Sequence, residues 1–410
     1  MDSDFLFYII IAILVAQYAI DTFLDYLNAK HFLMGIPEEL KDVFDADEYQ
    51  KAQSYQQENY RFGILKDGIS LLAVLGFLFL GGFKIIDNLV QEYTENNILQ
   101  ALGFFGILTV GSSFISFPFS FYQTFYIEEK FGFNKTTKKT FFLDILKSAL
   151  LSMVLGGGIL ALVIWFLEWA GSNFWFYVWA VAIFLMIFMN LFYSKLLVPL
   201  FNKQTLLEPG NLKTAIENYA QRVGFDLKNI FVIDGSKRST KANAYFSGFG
   251  KQKRVTLYDT LINDLEEEEI VAVLAHEVGH YKRKHIVFNM FFSILLTGLM
   301  LYLLSLFINI PQLSLALGVE RSSYHASLMA FFLLYSPISI VTGLVMNYLS
   351  RKFEFQADDY AKNTFASHPL ISSLKKLSKS NLSNLTPHPA YVFVHYSHPP
   401  LIDRIRNLKA

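Results

Sequence analysis

The sequence predicts an all-α integral membrane protein with seven transmembrane helices, carrying an α+β unit on its cytosolic side. Three observations lead there. Seven runs of about 20 mostly apolar residues, each enough to cross a hydrocarbon core, recur along the 410-residue chain. Lys and Arg concentrate in alternate loops between those runs. Two long polar stretches interrupt the pattern in the C-terminal half. Composition agrees, with 53% hydrophobic and only 17% charged residues, against about 25% charged in soluble domains, and a mean hydropathy of +0.34. Lys plus Arg and Asp plus Glu balance at 35 each, so no net charge draws nucleic acid or anionic lipid. The chain has no cysteine, which excludes disulfides, a thiol nucleophile, thiolate metal ligands and thioether lipid anchors.

The spans are read in order as follows. The first, 5–25, is a retained span: "MDSD" supplies no basic start, and the apolar run outlasts that of a signal peptide. The others are 68–90, 99–123, 143–168, 174–200, 286–309 and 325–349. The first loop carries Lys30, Lys41, Lys51, Arg61 and Lys66, and the third carries Lys130, Lys135, Lys138 and Lys139. "QEYTENN" and "EWAGSN" carry no Lys or Arg, and the loop after span six has only Arg321. Basic loops mark the cytosol. The N-terminus is therefore expected outside, with the region after span five and the C-terminus inside. The chain divides into helices one to five (1–200), a polar part (201–285), helices six and seven (286–349) and a helical C-terminal part (350–410).

Within 201–285, a polar segment near 211–223 reads as a helix. "NIFVIDG" reads as a short strand ending in a turn, and "NAYFSGFG" and "RVTLYDTLI" as two further strands. A helix follows, with Asn263 as its cap and Glu266 as the capping-box partner. The four glutamates at 266–269 suit its positive N-terminal end. Further along lies "HEVGH". His276 and His280, four apart, share one helix face and can chelate one Zn²⁺, while Glu277 is placed to take a proton from water. The plain alternative is a polar juxtamembrane patch, with "YKRKH" as a basic anchor. His285 is assigned to that anchor, off the His276/His280 face. A catalytic zinc also needs a third protein ligand. Glu354 and Asp358 in "RKFEFQADDYA" share a face; one can ligate while the other accepts an imidazole N–H. The plain alternative for them is a solvated helix face.

HEVGH, then "FEFQADD" and "HYSHPP", with "EEKFGFNKTT", "STKANAYFSGFG" and "SHPPLIDRI" in order, resemble the type I CAAX prenyl proteases. These are integral membrane zinc metalloproteases that cut prenylated C-terminal CaaX tails. The resemblance implies a zincin-like α+β metalloprotease domain at the cytosolic side, binding one Zn²⁺ per chain. His276, His280 and Glu354 match the zinc ligands, Glu277 the general base and Asp358 a partner of the site. His398 and Arg404 fall where the family contacts substrate carbonyls. Asn243 and Ala244 lie in the segment that resembles its substrate-binding edge strand. A water-filled chamber among the helices is implied too, and Asp21, Asn190, Asn289 and Asn347 within the spans are compatible with it. The expected partners are a peptide or protein substrate, prenylated in the family, and the lipid bilayer, without nucleic acid, for a monomer. The compact, cysteine-free chain points to a bacterial homologue in a plasma membrane rather than the endoplasmic reticulum. Two other functions fit the pattern: a general membrane quality-control zinc peptidase independent of prenylation, and a non-catalytic membrane scaffold with a structural zinc.

Overall fold

The computed structural model describes residues 2–227, 229–247 and 254–410. Helices α1 (Ser3–His31), α2 (Ala46–Phe79), α3 (Gly82–Tyr93), α4 (Asn97–Tyr122), α5 (Lys138–Ala170), α6 (Phe174–Leu196) and α7 (Val198–Phe201) come first. A mixed unit follows: β1 (Gln204–Leu206), α8 (Asn211–Arg222), β2 (Asn229–Ile233), β3 (Ala244–Ser247), β4 (Arg254–Tyr258), α9 (Asp259–Asp264) and α10 (Glu267–Lys282). The chain ends with α11 (His285–Phe307), α12 (Pro311–Leu315), α13 (Tyr324–Thr364), α14 (Ser367–Ser380), α15 (Pro389–His395) and α16 (Leu401–Lys409).

Among the described residues, six continuous helical stretches are long and apolar enough to cross a membrane. The fourth and fifth expected spans fall within one of them, Lys138–Phe201, where the single turn Gly171–Asn173 separates α5 from α6. The expected second span, 68–90, is corrected. The helix starts at Ala46 behind a capping box of Asp45 and Glu48, and stops at Phe79. Gly81 then takes a left-handed φ of 69°, which favours glycine. Gly82 sits so close to the Phe77 ring that no Cβ fits there. The apolar run continues across this break, which is why hydropathy alone reads through it. Beyond the break, α3 buries Phe83, Ile86 and Val90 against Leu6, Ile10 and Phe104.

The last expected span also continues further. Helix α13 holds 41 residues, about 60 Å of helix, or roughly twice the hydrocarbon core. Its C-terminal half carries Glu354 and Asp358 as a direct extension of the span.

The sheet has the order β1-β2-β4-β3, with β2 and β4 parallel and both outer pairs antiparallel. Ile230, Val255 and Leu257 of the sheet pack with Ile270, Val271, Leu274, Ala275 and Val278 of α10. Ile216 and Tyr219 from α8, Ala361 from α13, Leu370 from α14 and Leu408 from α16 close the same core. Each buried Val, Leu or Ile among these contributes roughly 1.5–3 kcal/mol, so α10 is clamped on several sides. The strand expected in "RVTLYDTLI" ends at Tyr258, because α9 begins at Asp259. The last residues of "NAYFSGFG", 248–250, lie outside the described residues.

The cap expected at Asn263 is corrected as well. Asn263 belongs to α9, and the extended, buried Leu265 separates the two helices. The cap of α10 is Glu266, whose backbone N–H donates to the Glu269 carboxylate at 2.8 Å. Burying Leu265 in the core sets the helix start later than the local capping pattern suggests.

Candidate metal centre

Helices α10 and α13 build the site by approaching unusually closely. A Cβ placed on Gly279 would lie 3.0 Å from the backbone of Ala357 and 3.1 Å from the Tyr360 Cβ. Because Gly279 has none, the turn of α13 carrying Glu354 reaches the histidine face of α10. One ring nitrogen each from His276 and His280 and one carboxylate oxygen of Glu354 lie within 4.8 Å of one another.

The individual separations are 3.1 Å between the two Nε2 atoms, 3.5 Å from His276 Nε2 to Glu354 Oε2, and 3.3 Å from His280 Nε2 to Glu354 Oε1. A tetrahedral zinc with ligand bonds of about 2.0–2.1 Å spaces its ligand atoms about 3.3 Å apart, so these donors fit one. Glu354 is buried, and its Oε2 has no hydrogen-bond partner among the described residues. An acceptor left in that way fits a cation aimed at it.

His276 is buried and approaches Asp358 Oδ1 through Nδ1 at 2.8 Å. The carboxylate can only accept, so Nδ1 carries the proton and Nε2 faces Glu354. Burial disfavours a charged imidazole, yet the carboxylates of Asp358 and Glu354 outweigh it and hold His276 up at about 9. The pocket favours a positive charge at Nε2, and a divalent metal would replace the proton there.

Arg404 from α16 is mostly buried. Its Nε donates to Asp358 Oδ2 at 2.9 Å and its Nη2 to Oδ1 at 2.6 Å. Its Nη1 lies 3.4 Å from Glu354 Oε2. Burial works against its charge, but Asp358, Glu354 and Glu277 hold the guanidinium firmly protonated. Three carboxylates facing one guanidinium leave the site net negative, as a dication requires. His398 stands at the mouth with its side chain 67% exposed, its Nε2 3.4 Å from Glu354 Oε1 and its Nδ1 3.0 Å from the Ser397 hydroxyl. Glu277 is partly exposed, one residue beyond His276 on the same helix.

The fold thus gathers His276, His280, Glu354, Asp358, Arg404 and His398 from α10, α13, α16 and the turn before α16. Asn243 and Ala244 lie apart from this cluster, at the start of β3 on the edge of the sheet. His285 is corrected. It is 3% exposed and 3.0 Å from His280, so it is no surface anchor. Lys284 adopts a φ of 60° that ends α10 and turns His285 inward. A lysine gives no sequence signal for that conformation, and Gln356 and Gly279 likewise escaped the sequence reading.

Two family models cover most of the chain. "CAAX prenyl protease N-terminal, five membrane helices" matches residues 25–203, and "Peptidase family M48" matches 207–410. A CAAX prenyl protease 1 homolog of Arabidopsis thaliana is 35% identical over 97% of this chain and 96% of its own length. The CAAX prenyl protease 1 of Saccharomyces cerevisiae is 34% identical over 96% of this chain and 93% of its own. The crystal structure of S. mikatae Ste24p superposes with a TM-score of 0.94 at 34% identity, covering 99% of each chain.

Proposed function

The chain belongs to the CAAX prenyl protease 1 family of M48 metallopeptidases, and from that premise we propose how it cuts and what it cuts. It is a multi-pass membrane metalloendopeptidase. The metal is Zn²⁺, one per chain, held by His276, His280 and Glu354. Two imidazoles and one carboxylate are a catalytic zinc donor set. When bound, zinc polarises the scissile carbonyl and lowers the pKa of the attacking water. Glu277 takes the proton from that water and passes it to the leaving amine. His398, exposed at the mouth, donates to the carbonyl oxygen as charge develops on it. Arg404 places a fixed positive charge beside the same oxygen and holds Asp358 against His276. The substrate lies extended along Asn243 and Ala244, adding a strand to the open edge of the sheet.

Seven crossings remain our reading of the membrane part. The 64-residue stretch Lys138–Phe201 would be about 96 Å long if straight, too long for one crossing. Phe166 stacks on Tyr177 across the Gly171 turn at 5.6 Å, so α5 and α6 fold back as a hairpin. No more than 22% of any span window is buried. That low burial supports a bundle with a hollow interior. The order of the four parts along the chain is kept, with α13 running unbroken through residue 349 from the last span to the metal site. The basic loops support a cytosolic metal centre, with the N-terminus on the opposite side. The plant and yeast relatives lend no support to a bacterial plasma membrane. The substrate class is a prenylated CaaX-type protein C-terminus, supported by the names of those relatives.

The observation that carries this reading is the three-donor cluster, braced by Asp358 and flanked by Glu277. The test is zinc content and peptide cleavage on detergent-purified wild type and Glu277→Gln, using a farnesylated CaaX peptide and its unprenylated twin. Both proteins should hold zinc. Wild type should cut the farnesylated peptide alone, and the variant should be about 10²–10⁴-fold slower. Equal cleavage of both peptides would replace the prenyl-dependent reading with a general peptidase. Full turnover by Glu277→Gln would remove Glu277 from the chemistry.

A further inference from the structure

His285 opens α11 behind the helix break, and its ring stacks on Phe353 at 4.3 Å with planes 11° apart. Its two nitrogens have different partners. Nε2 lies 2.9 Å from Gln356 Oε1, and Nδ1 lies 3.0 Å from His280 Nδ1. An amide oxygen can only accept, so Nε2 of His285 carries the ring proton. Its Nδ1 then offers a lone pair, which accepts the hydrogen bond donated by His280 Nδ1–H. His280 is left with a bare Nε2, pointing at His276 Nε2 at 3.1 Å and Glu354 Oε1 at 3.3 Å. Reversing every bond in this chain would put a proton on His280 Nε2, where no metal could bind it.

We propose that His285, oriented by Gln356, is a positioning residue that fixes His280 in the tautomer able to ligate a metal. On the opposite wall Asp358 does the same for His276 with a carboxylate. The two ligating imidazoles are thus set by different means, one by a charge and one by a neutral relay from α13 through α11. The relay also ties the metal site to the first turn of a membrane-spanning helix. This inference rests on the reading of His280 as a ligand.

Full-length protein in detergent, titrated with zinc against a chromophoric chelator, tests it with three variants. His280→Ala checks the underlying reading, and if it keeps wild-type zinc affinity, the ligand assignment fails first. His285→Phe fills the ring volume and keeps the stack on Phe353, but accepts no proton. His285→Asn loses the stack but places Oδ1 where Nδ1 was. With the relay in force, His285→Phe weakens zinc binding about 10–100-fold, while His285→Asn stays within a few-fold of wild type. A packing role predicts the reverse order, with Asn the worse variant. Wild-type affinity in His285→Phe, or an equal loss in both His285 variants alongside a zinc-deficient His280→Ala, overturns the proposal. Thermal melts of each variant report folding independently of zinc.

Discussion

At the scale of single residues, a missing side chain sets the metal centre. Gly279 lets α10 meet α13 at Ala357, one turn beyond Glu354. An alanine there must push backbone against backbone, and overpacking of this kind costs about 1–3 kcal/mol. Gly279→Ala is therefore expected to widen the gap and lower zinc affinity by about tenfold or more, read by chelator competition. A variant that binds zinc and melts like wild type would show slack between the helices. His276, Glu277 and His280 were legible in the sequence because four-residue spacing on a helix is a local property. Arg404 was legible as part of the site through the family pattern. Its commitment to both oxygens of Asp358 was not, because that pairing joins α16 to α13 across the fold.

At the scale of elements, the start of α10 depends on Glu269. This carboxylate closes the capping box and accepts from Ser372 at 2.6 Å and Lys376 at 2.8 Å, docking α14 onto the helix. Burial alone would raise its pKa, but Lys376, Ser372 and the Glu266 N–H outweigh burial and hold it below 4.5. A depressed folded value means the contribution is present above the unfolded pKa and is lost as pH falls through the folded one. Glu269→Gln should cost about 1 kcal/mol near neutral pH, and the gap from wild type should close as the pH drops below 4.5. A gap constant with pH would remove Glu269's charge from the account.

Among the described residues, strand β3 is one of the two edges of the sheet, opposite β1. Tyr258 N–H donates to Asn243 C=O at 3.1 Å, so the antiparallel alternation turns the main chain of Ala244 away from β4. Its N–H is met by Asn243's own Oδ1 at 2.8 Å, a contact that an incoming strand can displace. Proline is tolerated where an edge N–H faces outward. Ala244→Pro should thus leave zinc content and folding intact and raise KM several-fold, and an unchanged KM would sink strand addition. Its place at the edge is a property of the whole sheet, set by the order β1-β2-β4-β3.

At the scale of the whole molecule, the segment leading into β3 is moored to the membrane helices. Lys241, just before β3, pairs with Glu128 at 2.9 Å and with the Tyr55 hydroxyl at 3.0 Å, over the Phe133 ring at 4.4 Å. Arg238 grips Asp144 at 2.7 and 2.9 Å, and Thr240 N–H donates to Phe133 C=O at 3.1 Å. Glu128 and Phe133 of "EEKFGFNKTT" and Thr240 and Lys241 of "STKANAYFSGFG" thus bring two motifs far apart in the chain to one joint. Lys241→Met should quicken limited proteolysis around 235–247 and raise KM while zinc content holds. Unaltered proteolysis and KM would make the joint incidental.

The sequence by itself determined the membrane class, most of the spans, the HExxH helix and the acidic pair at Glu354 and Asp358. Each is written in local periodicity or in an apolar run. Tertiary structure alone decided the break at Gly81, the cap at Glu266, the inward turn of His285, the edge position of β3 and the pairing of Arg404. Those outcomes turn on contacts between residues far apart in the chain, whose energies leave no trace in the spacing of neighbours.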